Sequence, residues 1–166
     1  TTLSIICSVM AVRSVYLGNR KIEFLWWALF SYLFDCVDGH MARKYNMCTK
    51  FGDFYDHISD WGYFIALFYV AFIIRGFKSF AKPYRIPIFA ILGLAIIGMM
   101  VHMGIQEWIY REDSGEHSQG PTLNYFARVA QGICASHPTE CVKGSRFLGT
   151  GTFVMIVMII VFLFIR

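Results

Sequence analysis

Charge is scarce in this sequence. Only 16% of its 166 residues are Asp, Glu, Lys or Arg, and 57% are hydrophobic, 16 of them Phe. An average soluble domain carries about 25% charged residues. A chain this short has too little interior to hide so much apolar surface from water. That excludes an ordinary soluble globule and leaves the bilayer as the solvent.

Other absences narrow the field further. No Cys-x-x-Cys pair occurs among the cysteines at 7, 36, 48, 134 and 141, which argues against a metal–thiolate centre and favours free thiols. Cys134 and Cys141 pair only if their loop faces an oxidising compartment. The opening stretch lacks the charged leader and small-residue cleavage site of a signal peptide. Neither an internal repeat nor a low-complexity tract is present. Lys and Arg are shared almost evenly between the two sides, so no positive-inside bias sets the orientation. The net charge of +4 is spread over several loops, offering no patch for nucleic acid. The chain begins without Met and ends inside an apolar run. The expectation is a fragment with trimmed termini: one membrane-embedded domain over residues 1–166.

Long apolar runs are what it does contain. They fall at residues 22–34, 61–74, 86–105 and 147–165, with a fifth in LSIICSVMAV at the start, interrupted by Arg13. A span needs about 20 residues. The last two meet this alone, whereas 22–34 and 61–74 reach it only by including the polar flanks between them. The fold class is therefore all-α, a polytopic transmembrane bundle of five to six helices. Residues 75–87 make a short basic loop. Residues 107–146 form the one long polar stretch, within which PTLNYFARVAQGICA reads as a short interfacial helix.

Between the run at 22–34 and the run at 86–105, acid is confined to those flanks. Between residues 24 and 106 the only acidic side chains are Asp35, Asp38, Asp53, Asp56 and Asp60. Ionisable groups near membrane depth are costly and face a wet cavity or a partner. Asp35 and Asp38 are three apart and Asp56 and Asp60 four apart, so each pair lies on one helix face. Two such faces turned together bring four carboxylates close, which requires a compensating cation. All-oxygen ligands suit Mg²⁺, Mn²⁺ or Ca²⁺ rather than zinc. Gly39, Ala42 and Gly52 leave room beside the backbone, and the guanidinium of Arg43 suits bidentate contact with phosphate oxygens. Together these residues describe a cradle for a metal-bound diphosphate.

Written out, the pattern is Asp35-x2-Asp38-Gly39-x2-Ala42-Arg43-x8-Gly52-x3-Asp56-x3-Asp60. It resembles the signature of the CDP-alcohol phosphotransferase family at every fixed position and gap. The resemblance implies an integral membrane enzyme of six helices, a homodimer, with its site open to the cytoplasmic interface of the endoplasmic reticulum or plasma membrane. Such enzymes transfer a substituted phosphoryl group from a CDP-alcohol donor to the hydroxyl of a lipid, small polyol or amino alcohol, and release CMP. By position, Asp35, Asp38, Asp56 and Asp60 would hold Mg²⁺ or Mn²⁺. Asp60 would also be the catalytic base, and Gly39, Ala42, Arg43 and Gly52 would line the nucleotide and diphosphate. Asp-Gly-His-x-Ala-Arg followed by Asn46 resembles enzymes that use CDP-diacylglycerol, and that donor is the favoured reading. Asp56-His57-x2-Asp60 resembles instead the choline and ethanolamine phosphotransferases, which use a CDP-amino alcohol and diacylglycerol.

Several residues carry two readings. Asp53 is a solvated residue near a helix start or a supporting neighbour of the metal. His57 is structural or helps to hold the acceptor, and His40 is the blander of the two. Arg13 snorkels or stands near the polar cavity. Lys143 and Arg146 anchor the last helix at the interface or meet an anionic headgroup. Two rival classes remain at this stage: a cation transporter with an intramembrane aspartate site, and an aspartate-rich membrane prenyltransferase. Neither explains the Gly-x2-Ala-Arg element.

Overall fold

The computed structural model describes residues 1–45, 47, 49–75, 82–114, 127–132, 134 and 138–164. Helix α1 is Thr2–Leu17, α2 is Lys21–Lys44, and α3 is Lys50–Phe68 prolonged by a π-helical turn, Tyr69–Ile74. Helix α4 is Lys82–Ser114, α5 is Pro138–Ser145, and α6 is Thr150–Phe164, preceded by a 3₁₀ turn, Arg146–Leu148. No strand occurs among the described residues. The all-α expectation holds, and the described residues of each of the five apolar runs are helical for most of their length. Of the expected interfacial helix only a turn at residues 127–132, together with Cys134, falls within the described residues.

Among the described residues, three segments are long and apolar enough to cross a membrane: Phe54–Ile74, Tyr84–Gln106 and Glu140–Leu163. Helix α2 has the length, at 24 residues, but Asp35 and Asp38 lower its apolarity and it is not one of the three. As the run lengths required, α2 and α3 both continue through their aspartates.

The chain divides into two compact units, Thr1–Pro83 with Met158–Arg166, and Tyr84–Val157. In the first, α1 packs against both α2 and α3. The reversal from α1 to α2 needs two consecutive left-handed residues, Gly18 (φ 67°) and Asn19 (φ 54°), from the two residue types that adopt this conformation most readily. The buried face of α1 is made of small side chains: Ser4, Cys7, Ser8, Ala11, Ser14 and Val15. Small residues let backbones approach closely where lipid supplies no hydrophobic drive between helices. Facing residues on α2 are Phe24, Ala28 and Ser31, and α3 with its π turn contributes Leu67 and Val70. Ser31 Oγ lies 2.7 Å from Ser8 Oγ and 3.3 Å from Ser4 Oγ, so the buried hydroxyls satisfy one another. At the opposite end, Arg75 Nε donates to the Val15 carbonyl at 3.1 Å, and the Lys21 ammonium lies 5.5 Å from the centre of the Phe162 ring. The π turn closes with the Arg75 amide donating to the Val70 carbonyl at 2.9 Å.

The second unit is built on α4, which carries Pro87 in its second turn, where the ring removes one helical donor. Ile105, Ala130 and Cys134 form its core, with Val101, Trp108, Ile109, Cys141 and Val142 packed around them. Buried His102 bonds through Nδ1 to Ser145 Oγ at 2.9 Å. Gly149 passes so near this histidine that a Cβ there would stand 3.2 Å from His102 Cδ2. Cys134 and Cys141 are joined in a disulfide, which corrects the expectation of free thiols. Cys7, buried, and Cys36, exposed, are free. Cys48 lies outside the described residues.

Candidate active site

The acidic end of the first unit continues its packed seam. Along α2 the buried line Phe24, Ala28, Ser31 advances by one turn to Asp35. Along α3, Leu67 steps back by two turns to Asp60, and one further turn reaches Asp56. The helical repeat therefore delivers all three carboxylates to the mouth of the same seam. Asp35 and Asp56, on different helices, are close enough for their charges to interact. Asp60 is close enough to feel both charges. All three are half-buried.

Asp38 behaves differently. Its Oδ2 accepts from the Thr1 hydroxyl and faces the Thr1 main-chain nitrogen, and its side chain remains 44% exposed. Among the described residues no group of three His, Cys, Asp or Glu side chains converges closely enough to hold a metal ion. What is formed is an Asp35–Asp56 pair, with Asp60 as a third charge behind it. Two carboxylates in contact must share a proton or a cation. Their oxygen-only donor set fits a hard divalent ion.

The remaining motif residues fall around this pair. Gly39 and Ala42 are half-buried on α2, and Gly52 is exposed in the first turn of α3. Arg43 is helical in backbone, while its side chain and that of Asp53 lie outside the described residues. His40 and His57 are exposed. Arg13 lies about 18 Å along α1 from Thr1, by helical rise, and is near Glu23 rather than the aspartates. A surface hollow bounded by Asn19, Arg20, Lys21, Ile22, Glu23 and Phe162 is likewise remote, about 20 Å along α2 from Asp35. Lys143 and Arg146 are exposed in the other unit, with Arg146 over the Phe147 ring at 4.8 Å.

The glycine at position 52 has a structural reason of its own. Thr49 caps α3, its Oγ1 accepting from the Gly52 amide at 3.0 Å, and a Cβ on Gly52 would sit 3.0 Å from that oxygen. Thr49→Ala is therefore expected to cost about 1 kcal/mol of stability, the worth of an N-cap hydroxyl. Gly52→Ala should be nearly neutral in a thermal melt, since the displaced cap is offset by about 0.5–1 kcal/mol of helix propensity. If Gly52 makes room for the diphosphate, the same variant loses donor affinity without losing stability; unchanged donor KM would remove it from the site. Sequence reasoning pointed to neither Thr1, which meets Asp38, nor Thr49, which caps α3. Thr49 had a signal, a hydroxyl just before a helical run. Thr1 had none, since its contact with Asp38 joins residues 37 apart.

The family model described as CDP-alcohol phosphatidyltransferase matches residues 1–166, the whole chain. No curated protein and no solved structure matches it.

Proposed function

The chain belongs to the CDP-alcohol phosphatidyltransferase family, and from that premise we propose that it transfers the phosphatidyl group of CDP-diacylglycerol to an acceptor hydroxyl and releases CMP. The observation that carries this reading is the proximity of Asp35 on α2 to Asp56 on α3, with Asp60 one turn along, near enough for all three charges to interact. A cation transporter with an intramembrane carboxylate site drops out with the family assignment.

In this reading Asp35, Asp38, Asp56 and Asp60 hold Mg²⁺ or Mn²⁺. An ion held by them would supply charge neutralisation at the phosphoryl oxygens and the departing CMP. The chain's own residues do the rest. Arg43 grips the diphosphate through its planar fork, and Gly39, Ala42 and Gly52 leave the backbone open to the nucleotide. Asp60 takes the proton of the acceptor hydroxyl as it attacks the β-phosphorus, a step that needs the two oxygens about 2.6–3.2 Å apart. The whole chain acts as one catalytic domain, paired as a homodimer in the endoplasmic reticulum or plasma membrane, with the aspartates at the cytoplasmic face.

Asp56-His57-x2-Asp60 supports a second donor reading, CDP-choline or CDP-ethanolamine with diacylglycerol as acceptor. The two are separated by supplying the purified protein with radiolabelled CDP-diacylglycerol or CDP-choline, a panel of acceptors and Mg²⁺ or Mn²⁺. Labelled phosphatidyl product from CDP-diacylglycerol supports the first reading, and labelled product from CDP-choline supports the second. CMP release from neither donor overturns both. Arg43→Lys should raise the donor KM about tenfold, because a point charge replaces a bidentate fork worth about 1.4 kcal/mol more. Donor KM equal to that of the wild type would take Arg43 out of the diphosphate site.

A further inference from the structure

We infer that Thr1 is a positioning residue for the divalent ion: its hydroxyl holds Asp38 in the orientation in which that carboxylate serves as a ligand. The inference rests on the proposed function, which makes Asp38 a ligand. Thr1 is the N-cap residue of α1, but its side chain makes no capping bond to that helix. Threonine is favoured at an N-cap because its hydroxyl accepts from an amide of the first turn. Here the hydroxyl donates instead to Asp38 Oδ2, on another helix and 37 residues away. It serves a distant carboxylate and not its own helix.

The packing of α1 keeps this contact in register. Ser4, one turn on from Thr1, and Ser8, one turn further, are buried on the face that meets α2. Both lie against Ser31, at 3.3 and 2.7 Å, and Ser31 precedes Asp35 by one turn. Thr1, Ser4 and Ser8 on α1 therefore run beside Ser31, Asp35 and Asp38 on α2. The Thr1 side chain is only 22% exposed, and the charge of Asp38 acts on Asp35. A carboxylate that binds a metal is itself held by hydrogen bonds, and losing such an outer partner costs about 10–100-fold in metal affinity. Thr1 takes Oδ2, which leaves Oδ1 for the ion, and a hydroxyl donating to a carboxylate makes a charge-assisted bond. The Thr1 main-chain nitrogen faces the same oxygen. Thr1→Val spares that nitrogen and the branched shape, and removes the hydroxyl alone.

The test is Mn²⁺ binding to the full chain in detergent, followed by electron paramagnetic resonance, with a metal-free thermal melt of each protein. Wild type is compared with Thr1→Val, Thr1→Ser and Thr2→Val, the last at an exposed neighbouring threonine. Thr1→Val should weaken Mn²⁺ binding by about tenfold or more. Its metal-free melt should stay close to that of the wild type, because no capping bond is lost. Thr1→Ser restores a hydroxyl and should bind as wild type does, and so should Thr2→Val. Unchanged Mn²⁺ affinity in Thr1→Val overturns the role. So does a weakening that serine fails to rescue, that Thr2→Val shares, or that tracks a lowered metal-free melting temperature. A wild type that binds no Mn²⁺ overturns it together with the metal. Binding that depends on the Thr1 hydroxyl, with no CMP release from any donor, leaves the positioning role standing and removes the proposed function.

Discussion

Replacing Asp60 with Asn is expected to lower turnover by about 10²- to 10⁴-fold, the usual contribution of a positioned general base. Asparagine keeps the shape of the side chain but has no oxygen able to carry the acceptor's proton. Asp60 sits on the face of α3 that continues into buried Leu67, so the substitution occurs at a packed, half-buried position rather than in a solvated loop. Folding should survive it, because the change removes one member of a cluster of like charges rather than a paired ion. The loss should fall mainly on kcat, since the acceptor's proton moves in the chemical step. Steady-state kinetics with the thermal melt measured alongside checks both halves. Turnover within a few-fold of wild type would end the assignment of Asp60 as base.

Asp56→Asn should be as damaging for a different reason. Asp56 and Asp35 approach each other from separate helices. In the metal-free protein that contact is a repulsion, and neutralising one carboxyl relieves it. The variant's metal-free melting temperature should therefore equal or exceed that of the wild type. Mg²⁺ or Mn²⁺ should raise the wild-type melting temperature through preferential binding to the folded state, and should leave that of Asp56→Asn unmoved. Activity should drop by about 10³-fold, corresponding to roughly 4 kcal/mol of charge stabilisation. Asp35→Asn should reproduce all three results. A variant destabilised without metal and still stabilised by it would show that the two aspartates support the fold and not an ion.

Much of this was legible in the sequence, and the reasons are specific. Apolar runs too short to span the bilayer forced α2 and α3 to extend through their polar flanks, and both helices do so. The spacing of four puts Asp56 and Asp60 on one face of α3, and both charges act on Asp35 or feel it, whereas the spacing of three did not carry Asp38 to the same place. Contacts between distant parts of the chain were not legible. Asp38 is drawn to Thr1, a partner 37 residues away that no local pattern announces. Arg13 ends beside Glu23 because the α1–α2 reversal at Gly18 and Asn19 is tight, and this fixes which ends of the helices meet. The Cys134–Cys141 bond depends on α5 folding back onto α4, and seven residues of separation do not reveal that. The π turn at Tyr69–Ile74 lies in unbroken apolar sequence, with neither Gly nor Pro to mark it.

Electron paramagnetic resonance of Mn²⁺ titrated into the purified protein reports most directly on whether the two acidic helices grip a divalent ion. Wild type should show bound, protein-coordinated Mn²⁺ that Mg²⁺ displaces, and Asp35→Asn and Asp56→Asn should each lose that signal. Free aqueous Mn²⁺ throughout the wild-type titration, or a bound signal indifferent to both substitutions, would contradict it.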